Sequence, residues 1–481
     1  MRRDTNRGSV KLALVSGDGL PVSGLLTVFR NVLDVMRHAG EIDLPIPADF
    51  GYSWRPDKPH FFPAGDASTT YPDWLTVTRA VPVSDDPLGD ELAEIRRDVA
   101  IAAELSAARS AELRERIDRL AAPYRRYFRD WFEEHRVDWV IAVNMTISDA
   151  VPVSLGLHQA VADVWSGARP GGILFWDHDL FGSYAVRDSG GRVYPPRPNA
   201  FTPLPGMFPK QRWAVISEDL AREASSYPTS LRPVIVPNVL PDIPPGALTD
   251  RHREFMAQQE LVPRRPVILV PVRLFPVKGV ELSLELLAAL RRACAGRDEP
   301  FPYLLVFGSL SEDPAYARDV VAAADALRIH EDVRFLDGVP LASYRDRHGA
   351  WHLDEVDLLH LAREAGGAVF FTPSCADVES VGLGPALAAV AGVPCAVTRF
   401  NAFSHIYGPT FRCVHVERRD LASAADEMLN WLVGCREGRP DFLAALERNR
   451  VHVTRAFRAA AWRRLFEELS EALEPRVQLA Q

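Results

Sequence analysis

Short apolar runs recur along this chain, and most are followed by a stretch in which apolar positions return every three or four residues. The first run, V-K-L-A-L-V-S at 10–16, reads as a buried strand. It passes into G-D-G-L-P-V-S-G at 17–24 and then into an apolar-periodic helix reaching about residue 38. Residues 46–86 break the rhythm: rich in proline and aromatics, they predict an irregular insertion near the mouth of a site. Helices are predicted over about 90–120 and 124–135, charged on their outer faces. Alternation then resumes, with strands at 139–143 and 173–176 around a helix at 147–163, and two further strands within 212–240. P-D-I-P-P-G-A-L at 241–248 reads as a linker.

A second series starts at Pro266. It runs V-I-L-V-P-V-R-L, a helix at 281–295, Y-L-L-V-F-G-S, a helix at 316–327, V-R-F-L-D-G-V and a helix at 354–364. F-T-P-S-C-A-D-V-E-S-V-G-L-G-P-A-L-A-A-V-A-G-V-P-C-A-V-T at 371–398 completes it: a strand end, a loop holding Glu379, a small-residue helix and another strand. Residues 442–473 read as one long helical tail rich in Arg and Ala. Strands and helices alternating in two blocks predict two parallel-sheet α/β domains. A length of 481 residues, too great for one ordinary core, agrees.

Composition narrows the partners. A net charge of −9 without a basic stripe argues against a nucleic-acid binder. The five cysteines form no C-x-x-C pair, which predicts a reduced, cytoplasmic protein. No apolar run approaches the ~18 residues of a membrane span, and none at the start marks a leader. Lysine supplies only four of the 55 basic residues, so Lys278 is not a product of compositional bias.

Chemistry gathers where strands end. V-R-L-F-P-V-K-G places Arg273 and Lys278 on the loop after the first strand of the second block, the ligand edge of an α/β sheet. Two cations there suit a diphosphate. Glu379, three residues before Gly382, aims a carboxylate and the free N–H groups of a helix start at one point. A sugar joined to a diphosphate needs both. Gly17, Gly19 and Gly24 offer backbone N–H groups to an anion, though their spacing departs from G-x-G-x-x-G and a plain glycine-rich turn is the alternative. F-W-D-H-D-L ends a strand on Asp177, His178 and Asp179; His178 is either a site residue or a satisfied core histidine. D-H-D also mimics a metal-binding D-x-D, but Arg273 and Lys278 already supply the counter-charge. His348 and His352 have helical metal-ligand spacing without a third ligand, and read as surface. In the insertion, Tyr52, Trp54, Arg55 and Lys58 either grip an acceptor or form a packing flap.

R-L-F-P-V-K-G, followed about a hundred residues later by P-S-x-x-x-x-E-S-V-G-L and A-G-V-P, resembles the retaining GT-B glycosyltransferases of family four. The second block carries the resemblance strongly, the first moderately, and 45–136 hardly at all. It implies two Rossmann-like parallel-sheet domains facing each other across a cleft. The expected division is an acceptor-binding domain at 1–245 with an insertion at 45–136, a nucleotide-sugar domain at 246–441, and a helix at 442–481 packing back on the first.

By the same resemblance, Arg273 and Lys278 neutralise the donor diphosphate and Glu379 contacts the donor sugar. The backbone of Ser380, Val381, Gly382 and Leu383 holds hydroxyls and phosphate, Val339 meets the base, and His178 sits beside the reacting sugar. Gly17, Gly19 and Gly24 close over phosphate or acceptor. Four positions depart from the pattern. Leu387 stands where a second glutamate grips the ribose, Val272 replaces a glycine, and Asn401-Ala402 replaces a glycine pair.

The activity implied is retaining, metal-independent transfer of a sugar from a GDP- or UDP-sugar to a small soluble acceptor, with no cofactor beyond that co-substrate. Front-face attack, with the leaving phosphate taking the acceptor proton, is the implied route; a double displacement through Asp177 or Asp179 is the alternative. Arg- and Ala-rich coding of this kind fits specialised-metabolite assembly by a monomer or homodimer. The rivals are a GT-B phosphorylase, a nucleotide-sugar epimerase, and a non-catalytic binding or scaffold subunit.

Overall fold

The computed structural model describes residues 9–17, 24–51, 54, 71–78, 88–147, 150–182, 187–188, 191–377 and 379–474. They form two compact units. One takes Met1–Phe62, Asp73–Asn238 and Ala459–Gln481; the other takes Pro63–Pro72 and Val239–Arg458.

In the first unit the sheet strands are β1 (Leu12–Ser16), β2 (Ile46–Asp49), β3 (Leu75–Val77), β4 (Trp139–Val143) and β5 (Gly172–Asp177). A small antiparallel pair, β6 (Arg187–Asp188) and β7 (Gly191–Arg192), stands apart; β8 (Gln211–Val215) and β9 (Val234–Ile235) complete the sheet. Its order is β3-β2-β1-β4-β5-β8-β9 with every pairing parallel. Strands β1, β4 and β5 are buried throughout, which is why they read as unbroken apolar runs. The helices are α1 (Gly24–Ala39), α2 (Leu88–Ala100), α3 (Ala107–Glu134), α4 (Val151–Val164) and the short α5 (Glu218–Ala224).

The second unit opens with α6 (Asp250–Gln258). Its sheet is built from β10 (Val267–Val270), β11 (Tyr303–Val306) and β12 (Val333–Phe335), then β15 (Ala368–Phe371), β16 (Cys395–Val397) and β17 (Val414–His415). A hairpin, β13 (Tyr344–Arg345) and β14 (Trp351–His352), lies outside it. The order is β12-β11-β10-β15-β16-β17, again all parallel. Helices α7 (Val280–Arg297), α8 (Pro314–Ala326), α9 (Glu355–Glu364), α10 (Gly384–Ala391), α11 (Phe403–Tyr407), α12 (Leu421–Arg436) and α13 (Pro440–Ala456) follow, and α14 (Ala460–Glu471) returns to the first unit. In each sheet the strand order reverses at one place, between β1 and β4 and between β10 and β15. Loops leaving the carboxyl ends there form the ligand crevice of an open α/β sheet.

Three expectations change. Residues 46–49 and 75–77 are strands that extend the first sheet, although Pro47 and the shortness of both runs disguise them. The break among the helices of 88–134 falls at 101–106, where the Ser106 hydroxyl accepts Arg109 N–H at 3.2 Å, and not at Pro123. Pro123 sits inside α3, where that helix meets α4 closely: a Cβ on Gly156 would stand 2.8 Å from the Ala121 carbonyl. The tail is two helices. Leu446 and Val453 of α13 are buried in the second unit, while Trp462, Leu465, Phe466 and Leu469 of α14 are buried in the first. The Trp462 indole donates to the Pro237 carbonyl at 3.0 Å, and that of Trp139 to Leu469 at 3.0 Å. One straight rod could not present both stripes to separate cores.

Candidate active site

In the second unit, the loops following β10 and β15 flank the reversal of strand order, and they are stitched together. The Ser374 hydroxyl donates to the Pro276 carbonyl at 2.7 Å, and its N–H to Val277 at 3.1 Å. Thr372 Oγ1 donates to Gly279 at 3.0 Å. Gly279 has φ +61°, and a Cβ there would stand 2.1 Å from the Thr372 carbonyl, so glycine is required for the approach. Across this seam the Lys278 ammonium donates to the Glu379 carboxylate. The two residues singled out on separate loops are thus partners.

Arg273 comes from the same loop as Lys278. Its Nε lies 3.6 Å from Glu312, and its guanidinium carbon 4.9 Å above the Phe275 ring. Beyond Glu379, Ser380 and Leu383 are half-buried and Val381 buried. Gly382 turns at φ +61°, with Phe400 where a Cβ would go, at 2.4 Å. Its carbonyl accepts the buried Tyr407 hydroxyl at 2.6 Å. Helix α10 begins two residues later with no side-chain cap. Cations, a carboxylate and an uncapped helix start therefore share one loop system, able to receive an anion and a polyol together.

The departures from the family pattern have structural outcomes. Leu387 is 4% exposed in the core face of α10, so no carboxylate reaches a ribose from there. Asn401 donates from Nδ2 to Asp377 and from its N–H to Ala376 at 3.1 Å, pinning the loop ahead of Glu379. Val272 is buried. Val339 is buried next to Gly338, whose N–H donates to Phe307 at 3.1 Å. Reading the sequence missed Glu312, which holds the N–H groups of Leu274 at 2.8 Å and Ser309 at 3.2 Å. It also missed Ser309, whose hydroxyl bonds to Asp337 on the loop after β12.

In the first unit β5 delivers Asp177, His178 and Asp179 to the carboxyl edge. Asn144, at φ +51° after β4, caps the turn: its Oδ1 accepts the N–H of His178 at 2.7 Å and of Asp179 at 3.3 Å. Asp177 is fully buried, accepting from Thr146 Oγ1 at 2.6 Å and the Trp213 indole at 2.8 Å. Burial raises its carboxyl to about 7. The His178 ring lies 4.5 Å from Trp176, its Nε2 buried without a hydrogen-bond partner. Burial pushes this imidazole down to about 3, so it is neutral at physiological pH. Gly17 is half-buried after β1 and Gly24 opens α1, exposed.

Several candidates change or fall away. Gly19, Tyr52, Arg55 and Lys58 lie outside the described residues. Trp54 is 1% exposed and packs edge-on against Tyr124 and Phe128, a core residue with no surface for an acceptor. His352 is on the β13–β14 hairpin, stacked on Tyr344 with its Nε2 3.4 Å from Asp346. Among the described residues, no group of three His, Cys, Asp or Glu side chains could hold a metal ion, and no helix is long and apolar enough to cross a membrane.

No protein-family model matches the chain, and no curated protein matches it in sequence. Solved structures do share its fold. A glycosyltransferase from Rickettsia africae ESF-5 aligns with a TM-score of 0.55 at 13% identity over 97% of this chain and 99% of that one. Anabaena Alr3699/HepE, solved in complex with UDP-glucose, gives 0.55 at 13% over 95% and 98%. Sucrose-phosphate synthase from Thermosynechococcus elongatus gives 0.53 at 13% over 96% and 98%. With its two parallel sheets, the chain has the fold of GT-B glycosyltransferases.

Proposed function

We propose that this chain is a retaining glycosyltransferase that moves a sugar from a UDP- or GDP-sugar to a small soluble acceptor without a metal ion. The observation that carries the reading is the Lys278–Glu379 pair at the reversal point of the second sheet, beside Arg273 and the uncapped start of α10. Breaking a sugar–phosphate bond leaves an anion and an oxocarbenium-like carbon. Arg273, Lys278 and the α10 N–H groups neutralise the first, and Glu379 holds the hydroxyls of the sugar. A structure of this fold holding UDP-glucose supports that class of donor.

In the first unit, His178 is neutral, with its Nε2 buried and without a hydrogen-bond partner. Asp177, occupied by Thr146 and Trp213, is an anchor and not a nucleophile, which leaves Asp179 as the carboxylate for a double displacement beside the front-face route. Purified chain incubated with UDP- and GDP-sugars and an acceptor panel, with EDTA present, tests the whole reading. Transfer with retained anomeric configuration is expected by NMR, falling at least about a hundredfold in Lys278→Ala and Glu379→Ala. Full activity in both variants refutes the site, and loss with EDTA refutes metal independence. Leu387 in the core favours a second reading, a non-catalytic binding subunit; its signature is donor binding without turnover.

A further inference from the structure

We propose that Glu312 is a positioning residue that presents Arg273 to a diphosphate, an inference that rests on the reading of Arg273 above. Glu312 follows β11 in F-G-S-L-S-E-D-P, a sequence that looks like an exposed acidic turn. It is 2% exposed. The job expected of an acid before α8 belongs to its neighbour: Asp313 caps that helix, accepting from Ala315 at 3.1 Å and Tyr316 at 3.0 Å. Glu312 points elsewhere, across to the loop after β10. Gly308 allows the approach, since a Cβ there would stand 2.5 Å from Leu274 N.

A buried carboxylate is costly unless paired and hydrogen-bonded. Glu312 accepts Leu274 N–H at Oε2 and Ser309 N–H at Oε1, of which an amide, with its single oxygen, could keep only one. The charge so buried also faces Arg273, whose Nε stands 3.6 Å from Oε2. With a carboxylate 3.6 Å from Nε and the Phe275 ring beneath its guanidinium, the arginine is held in place before ligand arrives. Binding then does not spend the entropy of ordering it.

The test is calorimetric titration with UDP and UMP, and with GDP and GMP, of wild type, Arg273→Ala, Glu312→Gln and the double variant. The readout is the preference for diphosphate over monophosphate of the better-bound pair. Glu312→Gln is expected to cut it about tenfold, as is Arg273→Ala, with no further loss in the double variant. A merely structural role would weaken both nucleotides alike and leave the preference standing. If Arg273→Ala lowers the preference and Glu312→Gln does not, or the two effects simply add, the inference is overturned and the reading stands. If wild type shows no preference, or Arg273→Ala leaves it intact, the reading falls and the inference with it. Should Glu312→Gln not fold, Glu312→Asp, which keeps the charge but shortens its reach, is expected to lower the same ratio.

Discussion

Replacing Asp177 by asparagine, or His178 by glutamine, should tilt the pH dependence of stability in opposite directions. Burial raises the Asp177 carboxyl from 3.8 to about 7, so the folded chain holds a proton that the unfolded chain releases. Its contribution is fully present below pH 3.8 and is lost as pH rises through about 7. Burial lowers His178 from 6.5 to about 3, which is the mirror case: stability present above pH 6.5 is lost as pH falls toward 3. Each amounts to roughly 4 to 5 kcal/mol over its window, at about 1.4 kcal/mol per pH unit.

The first unit holds a second such pair, Asp49 raised to about 7 and His158 lowered to about 3. Between pH 4 and 6.5 the two acids and two histidines oppose one another, and the wild type is close to flat in these four groups. Asp177→Asn leaves one acid against two histidines, so its stability relative to wild type should rise with pH by about 1.4 kcal/mol per unit. His178→Gln should fall by the same amount. Urea unfolding followed by indole fluorescence reads the right part of the molecule, because eight of the ten tryptophans belong to the first unit. Differences from wild type cancel the surface groups common to all three chains. Parallel curves for both variants would refute the buried, neutral state assigned to this segment.

Two further substitutions probe the donor loop. Gly382→Ala sets a methyl group 2.4 Å from Phe400 at φ +61°, and should abolish nucleotide-sugar binding by calorimetry while lowering stability by about 2 kcal/mol. Leu387→Glu introduces the glutamate of the resembled pattern at a core position; it should cost about 3 kcal/mol or more in urea melts and gain no donor affinity, and tighter binding would refute this.

Both sheets were legible because parallel strands buried on two faces leave continuous apolar runs such as W-V-I-A-V and V-I-L-V. The two outer strands on the β3 side of the first sheet give no such run. Ile46–Asp49 contains Pro47, and Leu75–Val77 is three residues long, so neither rises above its surroundings. Lys278 and Glu379 could be picked out because a rare lysine and an acid beside a helix start each stand out locally. Their partnership could not, since it joins positions 101 apart. The tail misled for the opposite reason: no Gly or Pro interrupts 457–459, and only the rotation between two apolar stripes marks the break there. Glu312 shows where local reading stops. Its acidity, beside Asp313 and Pro314, spells an exposed helix start. What buries it is Leu274, 38 positions earlier, and the local trace of that contact is Gly308, whose missing Cβ lets one loop lie against the other.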